Sequence, residues 1–314
     1  MNYTYVNSQI KVIEEGILKK DDFLKLANSP KETFLKTLVD LGYGNYADSL
    51  EEIIHNELAS VKAYFDEVSP KKEHTDLFFL VNDLVNIKYY YKVKVFNLFD
   101  RNIFLENGVF TKDQLKSAIL ENDYSTLSKE YEKLFKKIED NVKDITDPRE
   151  LSGIIDATLY EFVLDKIRFS FNAPLSTYFK TSIDFKNILS YVRIKNLNWD
   201  YLKNKSMFIE GGNISLSKIE ELFTLDEKEV VRSLNEFYEE KLSLILKTYF
   251  DTNDLNLLEI QLNNLLLNIM SEFKNDAFGI GIILYYYLKK LAEASNIRYV
   301  FANSDIDEKH LLQY

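Results

Sequence analysis

Three histidines and no cysteine set narrow limits on the chemistry open to this chain. The histidines stand at 55, 74 and 310, with no H-E-x-x-H pair. A zinc site would therefore need carboxylates brought in from elsewhere in the fold. Disulfides and thiolate metal sites are excluded by composition. No G-x-S-x-G elbow supports a Ser–His–Asp hydrolase. The nine glycines never form G-x-x-x-x-G-K-[ST], the loop that would cradle a nucleotide triphosphate. "GYG" (42–44) and "GIG" (279–281) lack the third glycine and the preceding strand of a dinucleotide fingerprint. No catalytic residue, metal site or cofactor is expected.

What does recur is a carboxylate followed three residues later by Asn and then Ile. "DLVNIK" (83–88) holds Asp83 and Asn86, "DFKNIL" (184–189) holds Asp184 and Asn187, and "EASNIR" (293–298) holds Glu293 and Asn296. At this spacing the two side chains share one face of a helix. One reading is that three carboxylates and three amides converge on a pseudo-threefold axis and bind a cation through oxygen. The preferred reading is a repeated structural joint. Each Asn then hydrogen-bonds backbone or a neighbouring helix, and buried polar groups are satisfied without a ligand. Basic residues follow each copy: Lys88, Lys92 and Lys94, then Arg193 and Lys195, then Arg298. They form either a solvated face with ordinary ion pairs or a basic ring facing an acidic protein partner. They are the candidate partner-binding residues.

These residues need helices to position them. Thirteen glycines and prolines in 314 residues are too few for the turns of an all-β chain, and helix formers abound. Capping signals recur at "SPKE" (29–32), "TKDQ" (111–114), "DPRE" (147–150), "SKIE" (217–220) and "TLDE" (224–227). Helical stripes run through Leu50, Ile53, Ile54, Leu58, Val61 and Phe65, and through Leu151, Ile154, Ile155, Leu159, Phe162 and Val163. No window alternates strictly, so an all-α fold is expected.

Register supports a repeat. Asp83 and Asp184 stand 101 residues apart, and Tyr90/Tyr191, Lys92/Arg193, Lys94/Lys195, Asn97/Asn198 and the stripes from Leu50 and Leu151 keep that step. The third copy drifts, with Glu293 lying 109 residues beyond Asp184. A second motif, "GILKKDDF" (16–23), "GVFTKDQL" (108–115) and "GNISLSKI" (212–219), reads each time as a turn followed by a helix start. Three homologous helical bundles follow: 1–107, 108–211 and 212–314. The segment "YVNSQIKVIEEG" (5–16) resembles "YVRIKNLNW" (191–199), the continuation that the third unit lacks. The N-terminal helix is therefore expected to pack on unit three and close a ring.

The net charge of −11 excludes a sequence-independent nucleic-acid binder, which needs a basic footprint, and disfavours adsorption to anionic lipid. The first residues show no basic stretch ahead of an apolar core, so no signal peptide is expected. The longest uncharged apolar run, "AFGIGIILYYYL" (277–288), is shorter than the roughly 20 residues that span a bilayer. It reads as a buried helix in a soluble, cytoplasmic chain.

"YVNSQIKVIEEGILKKDDFLKL" (5–26), the three acid-x-x-Asn-Ile motifs and "FIEGGNIS" (208–215) together resemble the C subunit of the archaeal and bacterial A/V-type ATPases, the counterpart of the d subunit of the eukaryotic V-type ATPase. The resemblance covers essentially the whole chain. It departs at one place. Where the family's first helix usually carries an Asn-Ala-Arg-Val-Arg run, this chain reads Asn7, Ser8, Gln9, Ile10, Lys11. Bidentate contacts made by those arginines are not available to Gln and Lys. The resemblance implies a non-catalytic funnel of three helical domains around a pseudo-threefold axis, with a central cavity. It would sit on the cytoplasmic face of the membrane rotor ring and receive the base of the central stalk. One copy per complex, monomeric when isolated, would pass torque between the ATP-hydrolysing head and the ring, where Na⁺ or H⁺ is chosen. Two other classes stand beside this one: a helical-repeat scaffold that binds a peptide or protein in a concave face, and a helical hydrolase with a carboxylate metal site.

Overall fold

A computed structural model of the chain describes residues 2–168, 170, 172–303 and 306–314. Among the described residues there is no β-strand. The α-helices are α1 (Tyr3–Ile13), α2 (Lys20–Ala27), α3 (Phe34–Asp40), α4 (Leu50–Val68), α5 (Lys72–Phe79), α6 (Asp83–Val95), α7 (Lys112–Leu120), α8 (Lys129–Val142), α9 (Pro148–Arg168), α10 (Ala173–Asn196), α11 (Leu216–Leu222), α12 (Glu227–Ser233), α13 (Lys241–Thr252), α14 (Leu255–Met270) and α15 (Gly281–Ala302). The all-α class expected from composition and periodicity is the class observed.

Local signals explain where many of these helices begin. Ser49 accepts the Glu52 N–H at 3.2 Å and opens α4. Its apolar stripe Leu50, Ile53, Ile54, Leu58, Val61 and Phe65 is buried. Thr111 and Gln114 close a reciprocal capping box on α7. Asp147 accepts the Arg149 N–H at 2.7 Å, and Pro148 opens α9, where its missing N–H is no loss. In α9, Leu151, Ile155, Leu159 and Val163 are buried, while Ile154 and Phe162 are half-buried on the flank.

Three helix starts differ from the capping pattern. In "SPKE" the Pro30 carbonyl accepts the Thr33 N–H at 3.0 Å, closing a tight turn, so α3 begins only at Phe34. Ser29 is drawn backwards instead, its hydroxyl donating to the Lys25 carbonyl at 2.9 Å. The cap of α11 is Ser215, in extended backbone, and not Ser217. The cap of α12 comes from Asp226, which accepts the Glu229 N–H at 2.8 Å, and not from Thr224. A cap needs both an oxygen and a non-helical backbone at that residue, and sequence shows only the first.

The chain forms two compact units, one of residues up to Thr75 together with Val231–Tyr314, the other Asp76–Val230. In the first, α15 is central and is packed by α1, α2, α4 and α14. Residues 281–290 of α15 are buried on every side. No helix among the described residues is long and apolar enough to cross a membrane. In the second unit α9 is central, against α6, α8 and α10. These units and the thirds expected from register divide the chain differently, because compactness follows packing and not sequence spacing. The 101-residue step has a structural counterpart at Asn97 and Asn198. Both adopt left-handed backbone, with φ of 50° each, two residues past the ends of α6 and α10. This is the usual helix-stopping conformation, which Asn tolerates.

Candidate functional site

Asp83 starts α6, with Asn86 one turn on; Asp184 and Asn187 lie mid-way along α10; Glu293 and Asn296 lie in the second half of α15. All six are at most 2% exposed, so each must find partners inside the protein. Each Asn finds them on one residue. The Asn86 amide donates to the Leu105 carbonyl at 2.8 Å and accepts the Leu105 N–H at 3.0 Å. Asn187 does the same with Ile209, at 2.7 and 2.9 Å. Asn296 does the same with Leu312, at 2.9 and 2.7 Å. The amide stands in for a paired strand, satisfying both backbone groups of an otherwise unpaired segment.

The carboxylates hold the turn that follows. Asp83 Oδ2 accepts the Val109 N–H at 2.6 Å. Asp184 accepts the backbone N–H groups of Asn213 and Ile214, both at 3.0 Å, and the Asn213 side chain at 3.1 Å. Glu293 Oε1 accepts the Leu18 N–H at 2.7 Å. A charged acceptor shortens and strengthens such bonds.

The glycine before each held turn shows how close the fit is. A Cβ built on Gly108 would lie 2.0 Å from Asp83 Oδ1, and one on Gly212 would lie 2.0 Å from Asp184 Oδ1. Only glycine admits that approach. At Gly16 nothing lies within 4 Å. Glu293 carries one more methylene than Asp, and reaches its N–H without crowding the glycine. Sequence motifs alone do not name these partners. "LENG" (105–108) and "IEGG" (209–212) share an apolar–Glu–x–Gly pattern that could have found them in the first two copies. In the third, the Asn partner Leu312 and the acid partner Leu18 are separated by nearly the whole chain, so no local pattern exists.

The third joint also differs electrostatically. Lys290, 4% exposed, places Nζ 2.5 Å from Glu293 and 2.7 Å from Glu57, and lies 4.5 Å from the centre of the Tyr43 ring. One ammonium thus faces two carboxylates. Burial, and secondarily Glu57, push the Glu293 carboxyl above the ordinary glutamate range, against the pull of Lys290 and the Leu18 N–H. At the other edge of the same unit, α1 docks on the approach to α15. The Asn7 amide donates to the carbonyls of Asp276 and Gly279 at 3.0 Å each. On α1 itself Gln9 donates to the Tyr5 hydroxyl at 3.1 Å and Lys11 pairs with Glu14 at 2.9 Å.

The six basic candidates all lie on the three motif helices. Lys88 pairs with Asp156 at 2.5 Å. Lys94 pairs with Glu139 at 2.7 Å, and Arg298 grips Glu51 through two bonds of 2.8 and 2.7 Å. Lys92 is half-buried on α6, and Arg193 and Lys195 are exposed on the last turn of α10. Among the described residues no group of three or more His, Asp or Glu is gathered closely enough to hold a metal ion. Each of the three motif carboxylates is engaged by a backbone turn.

Buried polar residues thus spend their hydrogen bonds on backbone three times over in this chain. The chain belongs to the ATP synthase (C/AC39) subunit family, whose model matches residues 6–302. This is a family of non-catalytic subunits, so the chain is not an enzyme. It is 24% identical to the C subunit of the A-type ATP synthase of Desulfurococcus sp. (strain SY), over 94% of this chain and 85% of that protein. Identity to the corresponding C subunit of Pyrococcus furiosus is 23%, with the same coverage of both. That of Methanococcoides burtonii is 32% identical over a shorter stretch, 43% of this chain and 38% of the relative.

Proposed function

We propose that this chain is the rotor adapter of an A/V-type rotary ATPase, joining the central stalk to the membrane rotor ring and transmitting torque between them. Family membership supports a place in the rotary complex. The observation that carries the adapter role is the triple joint, which ties a long helix to the turn that begins a new helix by backbone hydrogen bonds on both the Asn and the acid. A part that must turn without yielding needs such ties, because packed, hydrogen-bonded interiors transmit strain instead of absorbing it. In this reading the joints mark three homologous bundles, 1–107, 108–211 and 212–314, set as a funnel about a pseudo-threefold axis with a central cavity. The adapter works on the cytoplasmic face, one copy per complex, bound to the ring and not to the bilayer.

Partner contact falls to the basic residues that follow the motif, with Arg193 and Lys195 on the exposed last turn of α10 and Lys92 at the matching position of α6. Lys88, Lys94 and Arg298 also pair with carboxylates of this chain. The test is assembly. The tagged chain should copurify with stalk and ring subunits. Lys92→Glu combined with Arg193→Glu should weaken that assembly at least tenfold while leaving the isolated protein folded. Assembly at wild-type strength would remove the basic segments from the interface. An ATPase that retains both stalk and ring when this chain is deleted would sink the adapter reading.

A further inference from the structure

The third joint is built from two separate pieces of chain. In the first two copies the residue paired with Asn and the residue held by the acid belong to one short connection, Leu105 to Val109 and Ile209 to Ile214. In the third they are Leu312 and Leu18. Covalent continuity therefore secures each of the first two connections between its two anchor points. No short connection joins Leu312 to Leu18, so segment 311–314 keeps its place by its own contacts. Those contacts are specific. Asn296 takes both backbone groups of Leu312. The Gln313 N–H donates to the Asn264 side chain at 2.8 Å. The Tyr314 hydroxyl donates to the Leu18 carbonyl at 3.1 Å, and Leu311 and Leu312 are buried. A cavity of about 360 Å³ lies beside the segment, walled by Ile17, Phe23, Lys289 and Asn296, so the packing there is incomplete. The opposite wall has its own supports: Leu18 is held by Glu293, and Glu293 by Lys290.

We propose that Leu311–Tyr314 is a separable clasp, an extended peptide seated in a cleft formed by α15 and residues 17–23, which leaves and rebinds while the rest of its unit stays folded. The cleft recognises two adjacent apolar side chains followed, two residues on, by a tyrosine hydroxyl, and its Asn reads the backbone of the second apolar residue. Tethering gives the segment an effective concentration on the order of millimolar, so it is closed most of the time without needing tight intrinsic binding.

The probe is a fluorescein-labelled peptide of residues 306–314, read by anisotropy against the full chain. The double variant Leu311→Ser/Leu312→Ser, which weakens the internal occupant and leaves the cleft unchanged, should bind the peptide at least tenfold more tightly than the wild type does. Adding Asn296→Ala should abolish that binding. Equal binding by wild type and double variant, no binding by either, or indifference to Asn296→Ala would overturn the proposal. Amide hydrogen exchange on the unmodified protein is the second measurement and decides the matter if the double variant fails to fold. The Leu312 amide should exchange at least tenfold faster than the Ile209 amide, which makes the equivalent bond inside a continuous connection. Equal or slower exchange at Leu312 would rule the clasp out. Neither measurement depends on the rotary assembly, so the adapter reading and the clasp can fail separately.

Discussion

The Glu293 carboxylate accepts the backbone N–H of Leu18 across 275 residues of sequence, at 2.7 Å. That bond is the counterpart of Asp83 with Val109 and of Asp184 with Ile214, and it ties the beginning of the chain to the helix that forms the centre of its unit. It also explains the change from Asp to Glu. The first two carboxylates press on a glycine, and the third reaches past an open one.

The Asn bonds should dominate local stability. Asn187→Ala leaves both backbone groups of Ile209 unpaired in a fully buried place. Each such group costs about 1–3 kcal/mol, so urea unfolding should show a loss of about 2–6 kcal/mol. Ser295→Ala, on the exposed side of α15, should stay within about 0.5 kcal/mol. Comparable losses for the two would mean that the joint contributes nothing special.

The glycines should behave unequally. Gly108→Ala and Gly212→Ala force a methyl group onto a buried carboxylate and should each destabilise by about 1–3 kcal/mol, the usual range for overpacking. Gly16→Ala meets open space and should be neutral or stabilise by up to about 1 kcal/mol through the unfolded state. Thermal unfolding of the three variants reads this directly, and a uniform response would contradict it.

The paired lysine and arginine should also separate. Lys88 and Asp156 are each about one-quarter exposed or less, so Lys88→Ala strands a half-buried carboxylate and should destabilise by about 1–3 kcal/mol. Arg298 and Glu51 are 47% and 66% exposed. Arg298→Ala should therefore lose no more than about 1 kcal/mol, and less at high salt. Chemical denaturation at two ionic strengths distinguishes them.

The pH dependence has two opposite contributions. Glu293 is held above the ordinary value of 4.5, chiefly by burial. Between 4.5 and its raised value the folded chain therefore binds more protons than the unfolded one. Its contribution is most favourable below 4.5 and falls as the pH rises through the raised value. Glu51 is held below 4.5 by the Arg298 hydrogen bonds, so its contribution is present above 4.5 and is lost as the pH falls through the lowered value. Raising the pH from about 4 to about 8 should lower wild-type stability relative to Glu293→Gln. From about 3 to about 6 it should raise wild-type stability relative to Glu51→Gln. The same sign in both comparisons would show that one of the two assignments is wrong.

Much of this molecule was legible from residues a few positions apart. Ser49, Thr111 and Asp147 announce their helices, because a cap is an interaction over three residues. The Leu50 stripe predicts a buried face, because helical periodicity is local. Asn97 and Asn198 keep register because the same helix stop is needed twice. Where local chemistry offered two oxygens, as at Ser215 and Ser217, only the backbone conformation chose between them.

By itself, the sequence determined the all-α class, the threefold recurrence of acid and Asn, and the family resemblance. It also excluded thiolate and nucleotide-loop chemistry. Tertiary structure alone decided what the recurring residues hold, which carboxylates Lys88, Lys94 and Arg298 meet, and that the third joint is assembled from Leu18 and Leu312. The reason is physical. Propensity, capping and periodicity act between neighbours along the chain and leave a pattern in the letters. A bond that closes 275 residues, or a glycine chosen by an oxygen that would lie 2.0 Å from its absent Cβ, depends on distances that exist only after the chain has folded.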